Sequence, residues 1–214
     1  MALVSGTELG DADRTRVRER LAYFTGLSEA YLKRANLRVI PRRYYKELRR
    51  SDGVVIGRLD SRYTGEDIDD AGESPEADPS FYGIDGAYTA AINDYLRREL
   101  GVDFNRTYAT CCDPISEWNW KLDPKQFGTS YINVAPYIGT AMRQNSDLRV
   151  FVAQGYYDFA TPFFGAELAL TRNGVVPERI TYEYYEAGHM MYLHHPSLEK
   201  LMADIRAFIV AGRE

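Results

Sequence analysis

The sequence predicts an α/β protein in which a mainly helical region precedes part of a parallel sheet. In the last third of the chain, two short apolar segments alternate with three segments of helical periodicity, in the order α–β–α–β–α. A right-handed crossover between the two strands makes them parallel. The earlier part shows helical periodicity interrupted by polar and irregular stretches. We therefore predict a mainly helical, irregular region over residues 1–130 and part of an α/β sheet over residues 131–214.

The composition is that of an ordinary globular protein. The 214 residues are 45% hydrophobic and 27% charged, which excludes a disordered or collagen-like chain. A formal net charge of −5 disfavours nucleic acid as a partner of the whole protein. The apolar runs are far shorter than the roughly 20 residues of a membrane-spanning helix, so we expect no membrane partner. We also expect no secretory signal, since no apolar stretch follows Met1.

Charge divides the first half of the chain into two blocks. Residues 14–50 contain 12 basic and 3 acidic residues, whereas residues 60–80 contain 8 acidic residues and one arginine. Such blocks usually form solvated surfaces, and these two could face each other. A nucleic-acid interface on the basic block is disfavoured, because no aromatic-interleaved or known binding motif accompanies it.

Three short helices are predicted within the basic block. The first has Asp13 as its N-cap and ends at Gly26. The second covers residues 28–35, with Ser28 as its N-cap, and the third lies around residues 44–48.

A polar stretch containing two prolines, residues 65–80, predicts a loop. Helical periodicity returns at Tyr88 and ends at Gly101. Further on, Cys111 and Cys112 are neighbours, which fits neither an unstrained disulfide nor the spacing of metal ligands. We interpret them as two semi-buried thiols in a turn before Pro114.

The last third of the chain is more regular. Residues 148–153 form the first predicted strand, and their continuous apolar run is typical of a strand buried on both faces of a parallel sheet. Residues 180–185 form the second strand. Helices are predicted around them at residues 133–145, 162–171 and 198–209, the middle one opened by a proline.

Two candidate catalytic residues follow these strands. Asp158 and His189 each lie a few residues past a strand end, so parallel strands bring both to the same edge of the sheet. A carboxylate that orients an imidazole general base is two-thirds of a nucleophilic triad. From the residues alone, a lone aspartate and a lone histidine in loops are more often caps or satisfied polar groups than catalytic residues. A metal site at His189, His194 and His195 is disfavoured, because these histidines lack a known ligand spacing.

Four segments carry a resemblance to a known family. GYYDFATP at residues 155–162 and YYEAGHMMY at residues 184–192 resemble the C-terminal segments of the serine carboxypeptidases, and look most like the bacterial branch of that family. WNW at residues 118–120 and GRLDSR at residues 57–62 are also similar to that branch. The resemblance covers the chain from about Arg20 to its end.

This resemblance implies an α/β-hydrolase fold without a metal or organic cofactor. Residues 131–214 would be the C-terminal half of the hydrolase core, and residues 1–130 an insertion that caps the site. In the family, a triad aspartate corresponding to Asp158 orients a histidine corresponding to His189. The methionine after that histidine lines the pocket for the leaving C-terminal residue, which maps onto Met190.

The family's nucleophilic serine lies in a Gly-Glu-Ser-Tyr-Gly type of turn, upstream of the segments found here. The nearest match is GESPE at residues 72–76. We reject Ser74 as the nucleophile, because no apolar strand precedes it and Pro75 has no backbone N–H to offer an oxyanion. We therefore expect the C-terminal fragment of a serine carboxypeptidase, which releases C-terminal residues from peptides and is inactive when this fragment is alone.

Two other functions stay open from the sequence. One is a serine carboxypeptidase-like acyltransferase, and the other is a non-catalytic interaction domain whose basic block binds an acidic partner. For the carboxypeptidase, the expected partners are a peptide substrate and the missing upstream segment. Without that segment, an exposed apolar face at residues 150–153 favours self-association. The family is mostly exported or vacuolar, so the resemblance implies a periplasmic or secreted location.

Overall fold

The chain consists of two compact units, Met1–Ser80 and Phe81–Glu214. The computed structural model describes residues 8–106, 108–110, 119 and 132–212. Within these ranges the chain mixes helices with two small sheets, in agreement with the predicted α/β class. The predicted domain boundary between residues 130 and 131 lies outside the described residues, as do Cys111 and Cys112.

Seven helices and four strands are described. They are α1 (Asp11–Thr25), α2 (Glu29–Arg34), α3 (Pro41–Glu47), β1 (Val55–Ile56), β2 (Thr64–Gly65), α4 (Pro79–Asp94), α5 (Ala135–Gln144), β3 (Val150–Gly155), α6 (Phe163–Leu170), β4 (Ile180–Tyr185) and α7 (His195–Val210). A π-helical turn, Tyr95–Glu99, extends α4, and Gly101 follows it with a φ of 63°. Across the described ranges, no helix combines the length and apolarity needed to cross a membrane.

The first helix begins earlier than predicted. Gly10, rather than Asp13, is the N-cap residue of α1, and its carbonyl oxygen accepts from the amide of Arg14 at 2.9 Å. Asp13 lies inside the first turn with Asp11, where a negative charge interacts favourably with the N-terminal end of the helix dipole. Gly26 ends the helix as predicted, in a left-handed conformation with a φ of 73°.

The two other helices predicted in this unit are present. Ser28 caps α2, and its hydroxyl accepts a hydrogen bond from the amide of Tyr31 at 3.1 Å. Helix α3 has a proline in its first turn, where the missing N–H costs nothing.

The basic and acidic blocks of the sequence face each other within the first unit. Lys46 on α3 is 2% exposed, and its Nζ donates to Oδ2 of Asp67 at 2.7 Å and to the carbonyl of Asp69. At the surface nearby, Arg43 pairs with Glu73 at 2.8 Å. Because a buried ammonium group needs partners, the Lys46 contacts fix the polar loop against α3.

A short antiparallel hairpin, not predicted from the sequence, is formed by β1 and β2. The GRLDSR segment at residues 57–62 connects its strands. Asp78 closes this connection, since its carboxylate accepts from the amides of Arg58 at 3.0 Å and Leu59 at 3.2 Å. A Cβ on Gly57 would lie 2.4 Å from a backbone oxygen of the same turn. The close approach of the backbone in this turn therefore explains why residue 57 of the segment is a glycine.

In the second unit, β3 and β4 are parallel neighbours, as predicted. Their register pairs Val150 with Ile180 and Gly155 with Tyr185, and α6 lies in the connection between them. Packing of α5 and of the segment around α6 against the sheet forms the core. Its buried residues are Ala135, Met142, Leu170 and Val175.

Strand β3 is not buried on both faces, which corrects the prediction from its apolar run. Its residues from Val150 to Gln154 are only partly buried. Among the described residues, β3 pairs with β4 alone, so the sheet has two strands. A two-stranded sheet leaves more of each strand accessible than a full parallel sheet with neighbours on both sides.

Candidate active site

Asp158 and His189 lie together at one edge of the parallel sheet. Asp158 follows β3 and His189 follows β4, and the two strands end side by side because Gly155 pairs with Tyr185. Oδ2 of Asp158 lies 2.9 Å from Nδ1 of His189, although 31 positions separate the two residues. The contact is an ion pair when the imidazole is protonated and a hydrogen bond when it is neutral.

Backbone hydrogen bonds join the two loops that hold this pair. The amide of Tyr156 donates to the carbonyl of Tyr185, and the amide of Tyr157 donates to the carbonyl of Ala187, both at 3.0 Å. The Tyr157 hydroxyl also donates to Glu186 at 2.8 Å. The parallel pairing of β3 and β4 therefore continues past the strand ends and into the loops.

This close approach requires a glycine at the end of β3. A Cβ on Gly155 would lie 2.3 Å from the carbonyl oxygens of both Ala187 and Gly188. Sequence reasoning missed this role, although a glycine within a strand often marks a place where another backbone comes near.

The carboxylate of Asp158 is held on both oxygens. Its Oδ1 accepts from the amides of Ala160 at 2.8 Å and Thr161 at 2.9 Å. Its Oδ2 accepts from the hydroxyl of Thr161 at 2.6 Å, in addition to the contact with His189. Asp158 is 4% exposed, so these partners take the place of water around the carboxylate.

The imidazole of His189 is anchored on one side and accessible on the other. Its side chain is 41% exposed, and Nδ1 faces Asp158. Nε2 has no hydrogen-bond partner within the described part of the chain. A ring held at Nδ1 with a free Nε2 can take a proton from a nucleophile and return it to a leaving group.

Met190 is the next residue after His189 and is partly buried. Its carbonyl accepts from the amide of Leu193 at 3.0 Å, in the short 3-10 turn Met191–Leu193. The structure thus places Met190 beside the histidine, and its contact with a substrate stays a prediction.

The other two histidines have partners of their own. Nδ1 of His194 lies 2.8 Å from the hydroxyl of Ser197 at the start of α7. His195 is exposed, and its Nδ1 lies 3.5 Å from Glu199. Among the described residues, no three His, Cys, Asp or Glu side chains are grouped so that they could hold a metal ion.

No serine of the described residues is bonded to His189. Ser74 lies in the polar loop of the first unit that joins β2 to α4. Within this loop no strand leads into Ser74. In the described part of the second unit, Ser146 contacts Asp147 and Ser197 contacts His194. The described residues therefore contribute a carboxylate and an imidazole to this site, and no nucleophile.

Tyr184 and Tyr185, which open the YYEAGHMMY segment but had no predicted role, support the site from β4. The ring of Tyr184 stacks on Tyr156 with 5.7 Å between centroids, and its hydroxyl donates to Glu167 on α6. Burial and this hydrogen bond raise the pKa of Tyr184 to about 12. Tyr185 is 1% exposed and donates to Asp204 on α7 at 2.9 Å, which ties α7 to the end of β4.

Comparison of the chain with known protein families, with curated proteins and with solved structures gives no match.

Proposed function

We propose that this chain carries the acid–base half of a serine carboxypeptidase site on the sheet of an α/β-hydrolase core. The observation that supports it most is the 2.9 Å contact between Asp158 and His189 at the ends of adjacent parallel strands. A buried carboxylate that orients an accessible imidazole is the arrangement that activates a nucleophile. The order of aspartate before histidine also agrees with α/β hydrolases.

In the proposed reaction, a serine outside the described residues attacks the carbonyl carbon of the last peptide bond. Nε2 of His189 takes the hydroxyl proton as the new C–O bond forms, and gives it to the leaving nitrogen as the C–N bond breaks. Water then attacks the acyl group, passes a proton through His189 to the serine and releases the shortened peptide. Asp158 accepts the Nδ1–H hydrogen bond throughout.

The substrate of this reaction is a peptide with a free C-terminal residue. Met190 directly follows His189, and we place it against the side chain of the leaving residue. The proton transfers run through His189 between the serine, the leaving nitrogen and water, with Asp158 as a hydrogen-bond acceptor, and call for no cofactor.

A non-catalytic interaction domain has less support from the described residues. That function needs a basic block free to meet an acidic partner, but much of the block is paired within the first unit. Ion pairs of 2.5 to 3.0 Å engage Arg16, Arg18, Arg43, Lys46, Arg49 and Arg50. An acyltransferase would use the same Asp158–His189 pair and transfer the acyl group to an alcohol in place of water.

Labelling with a fluorophosphonate, which reacts with activated serines, tests the proposal. The 214-residue chain and the longest polypeptide that its gene encodes are each treated and analysed by intact mass. We expect no adduct on the chain and one adduct, on a serine, of the longer polypeptide. His189→Ala should abolish that adduct, and the exposed control His195→Ala should keep it.

Two results would overturn the proposal. An adduct on Ser74 of the chain would show that the nucleophile was wrongly located. No adduct on either polypeptide would exclude a serine hydrolase, and salt-sensitive binding of an acidic protein would then support the interaction domain.

A further inference from the structure

We propose that Thr161 is a positioning residue that helps Asp158 to hold the proton of the neutral His189 imidazole on Nδ1. Its hydroxyl oxygen is a second acceptor beside that nitrogen, and the proton on Nδ1 leaves the lone pair on Nε2. The catalytic meaning of this inference rests on the proposed function. The proton position itself can be measured without any activity.

The evidence is a triangle of three polar atoms at the edge of the sheet. Oγ1 of Thr161 lies 2.6 Å from Oδ2 of Asp158 and 3.1 Å from Nδ1 of His189. The third side, from Nδ1 to Oδ2, is 2.9 Å. Each atom is within hydrogen-bond distance of the other two. The hydroxyl carries one hydrogen and Nδ1 at most one, so the three contacts have at most two hydrogens between them.

Counting the protons decides their arrangement. The threonine hydroxyl has one hydrogen, and its shorter contact is to the carboxylate, which can only accept. Oγ1 then turns a lone pair toward Nδ1. Both neighbours of Nδ1 are thus acceptors, and the ring proton is stabilised on Nδ1, where it meets Asp158 and Thr161 together.

The opposite arrangement is unfavourable for a specific reason. With the proton on Nε2, the lone pair of Nδ1 would face two acceptor atoms, Oδ2 of Asp158 and Oγ1 of Thr161, as long as the hydroxyl donates to the carboxylate. If the hydroxyl instead turned to donate to Nδ1, Oδ2 of Asp158 would lose both of its hydrogen bonds. Thr161 itself is exposed, but Asp158 is 4% exposed, so water would replace these bonds poorly.

Thr161→Val removes this hydroxyl with little other change. The amide of Thr161, which donates to Oδ1 of Asp158, is kept in this substitution. Valine also has nearly the shape of threonine. The variant therefore keeps both backbone donors to Oδ1 of Asp158, from Ala160 and Thr161, and loses only the hydroxyl contacts to Asp158 and His189.

Nitrogen-15 NMR of histidine-labelled protein measures the proton position, because protonated and unprotonated ring nitrogens resonate far apart. We expect the neutral His189 ring of the wild-type chain to be mainly the Nδ1–H form. Thr161→Val should lower the ratio of Nδ1–H to Nε2–H about tenfold, the effect of one hydrogen bond to a charged group. Thr161→Ser should restore it, and Thr171→Val, which removes a hydroxyl bonded to the carbonyl of Leu168, should leave it unchanged.

Two results would overturn this role. One is a wild-type ring that is mainly Nε2–H, which decides the matter even if Thr161→Val does not fold. The other is a folded Thr161→Val protein with an unchanged ratio. Neither depends on fluorophosphonate labelling, so the failure of this inference can be told from the failure of the proposed function.

Discussion

Gly155 lies so close to Gly188 that a Cβ at position 155 would stand 2.3 Å from the carbonyl oxygen of Gly188. The first residue ends β3, and the second directly precedes His189. This approach lets the loops after β3 and β4 pair through their backbones. The distance between the carboxylate and the imidazole therefore depends on a residue that takes part in no chemistry.

Gly155→Ala should destabilise the second unit and separate the two loops. The added methyl group meets two backbone oxygens that cannot rotate away, so we expect a loss of about 1–3 kcal/mol in the free energy of unfolding. Urea unfolding measures it. Gly165→Ala is the matched control, because nothing lies within 4 Å of the new Cβ in α6. There we expect a gain of about 0.5–1 kcal/mol, and equal effects at both positions would contradict the account.

Lys46→Met should destabilise the first unit far more than a similar change at its surface. The substitution leaves the carboxylate of Asp67, whose side chain is 6% exposed, without its cation, and such losses cost about 3–5 kcal/mol. Arg43→Met breaks the pair with Glu73 at the surface, where we expect about 0–1 kcal/mol. Denaturant unfolding of both variants measures the difference. Similar losses would show that burial of Lys46 does not organise the polar loop.

The same carboxylate should make the first unit sensitive to acid. Burial raises the pKa of Asp67, but hydrogen bonds from Lys46 and from the amides of Glu76 and Ile68 outweigh it and hold the pKa below its usual value. A pKa that is lower in the folded protein stabilises the fold above roughly pH 4, and this stability is lost as the pH falls through the folded value.

Unfolding free energies measured from about pH 7 down to about pH 3 test this dependence. Asp67→Asn should be less stable near neutral pH and should lose less stability on acidification than the wild type. Asp70→Asn, a change at an exposed position of the same loop, should follow the wild-type curve. An Asp67→Asn curve parallel to the wild type would contradict the role of this carboxylate.

Glu167→Gln should lower the pKa of Tyr184. Burial and the hydrogen bond to Glu167 raise that pKa to about 12 from the ordinary 10.0. Removing the charge of Glu167 leaves burial in place, so we expect a value between these two. Carbon-13 NMR of the tyrosine Cζ atoms follows the titration. Since the folded pKa is raised, Tyr184 stabilises the fold below about pH 10 and loses this effect toward pH 12. An unchanged titration would rule out the contact with Glu167.

Much of this fold could be predicted from the sequence, because the relevant signals are local. Strand β4 has the predicted bounds, and the parallel pairing follows from the handedness of crossovers. The preference for aspartate at helix N-caps led to a wrong N-cap for α1. Asp13 lies in the first turn, and Gly10 is the N-cap residue. The prediction from its apolar run also made β3 more buried than it is. The burial of a strand depends on its neighbouring strands and not on its own residues alone.

The site was predictable only to the level of two residues at one edge of the sheet. Asp158 and His189 could be placed there from strand order. Gly155 and Thr161 could not, because their roles depend on which loops approach each other and at what distance. Such contacts between residues far apart in the chain leave no periodic pattern in the sequence.

The most direct test of the central claim is the release of C-terminal residues by the longest polypeptide that the gene encodes, compared with its Asp158→Asn variant. If Asp158 orients His189 for acid–base catalysis, kcat should fall about 10⁴-fold in the variant, with a smaller change in KM. His195→Ala should retain the wild-type rate. Equal rates for wild type and Asp158→Asn, or no release by the wild type, would contradict the account.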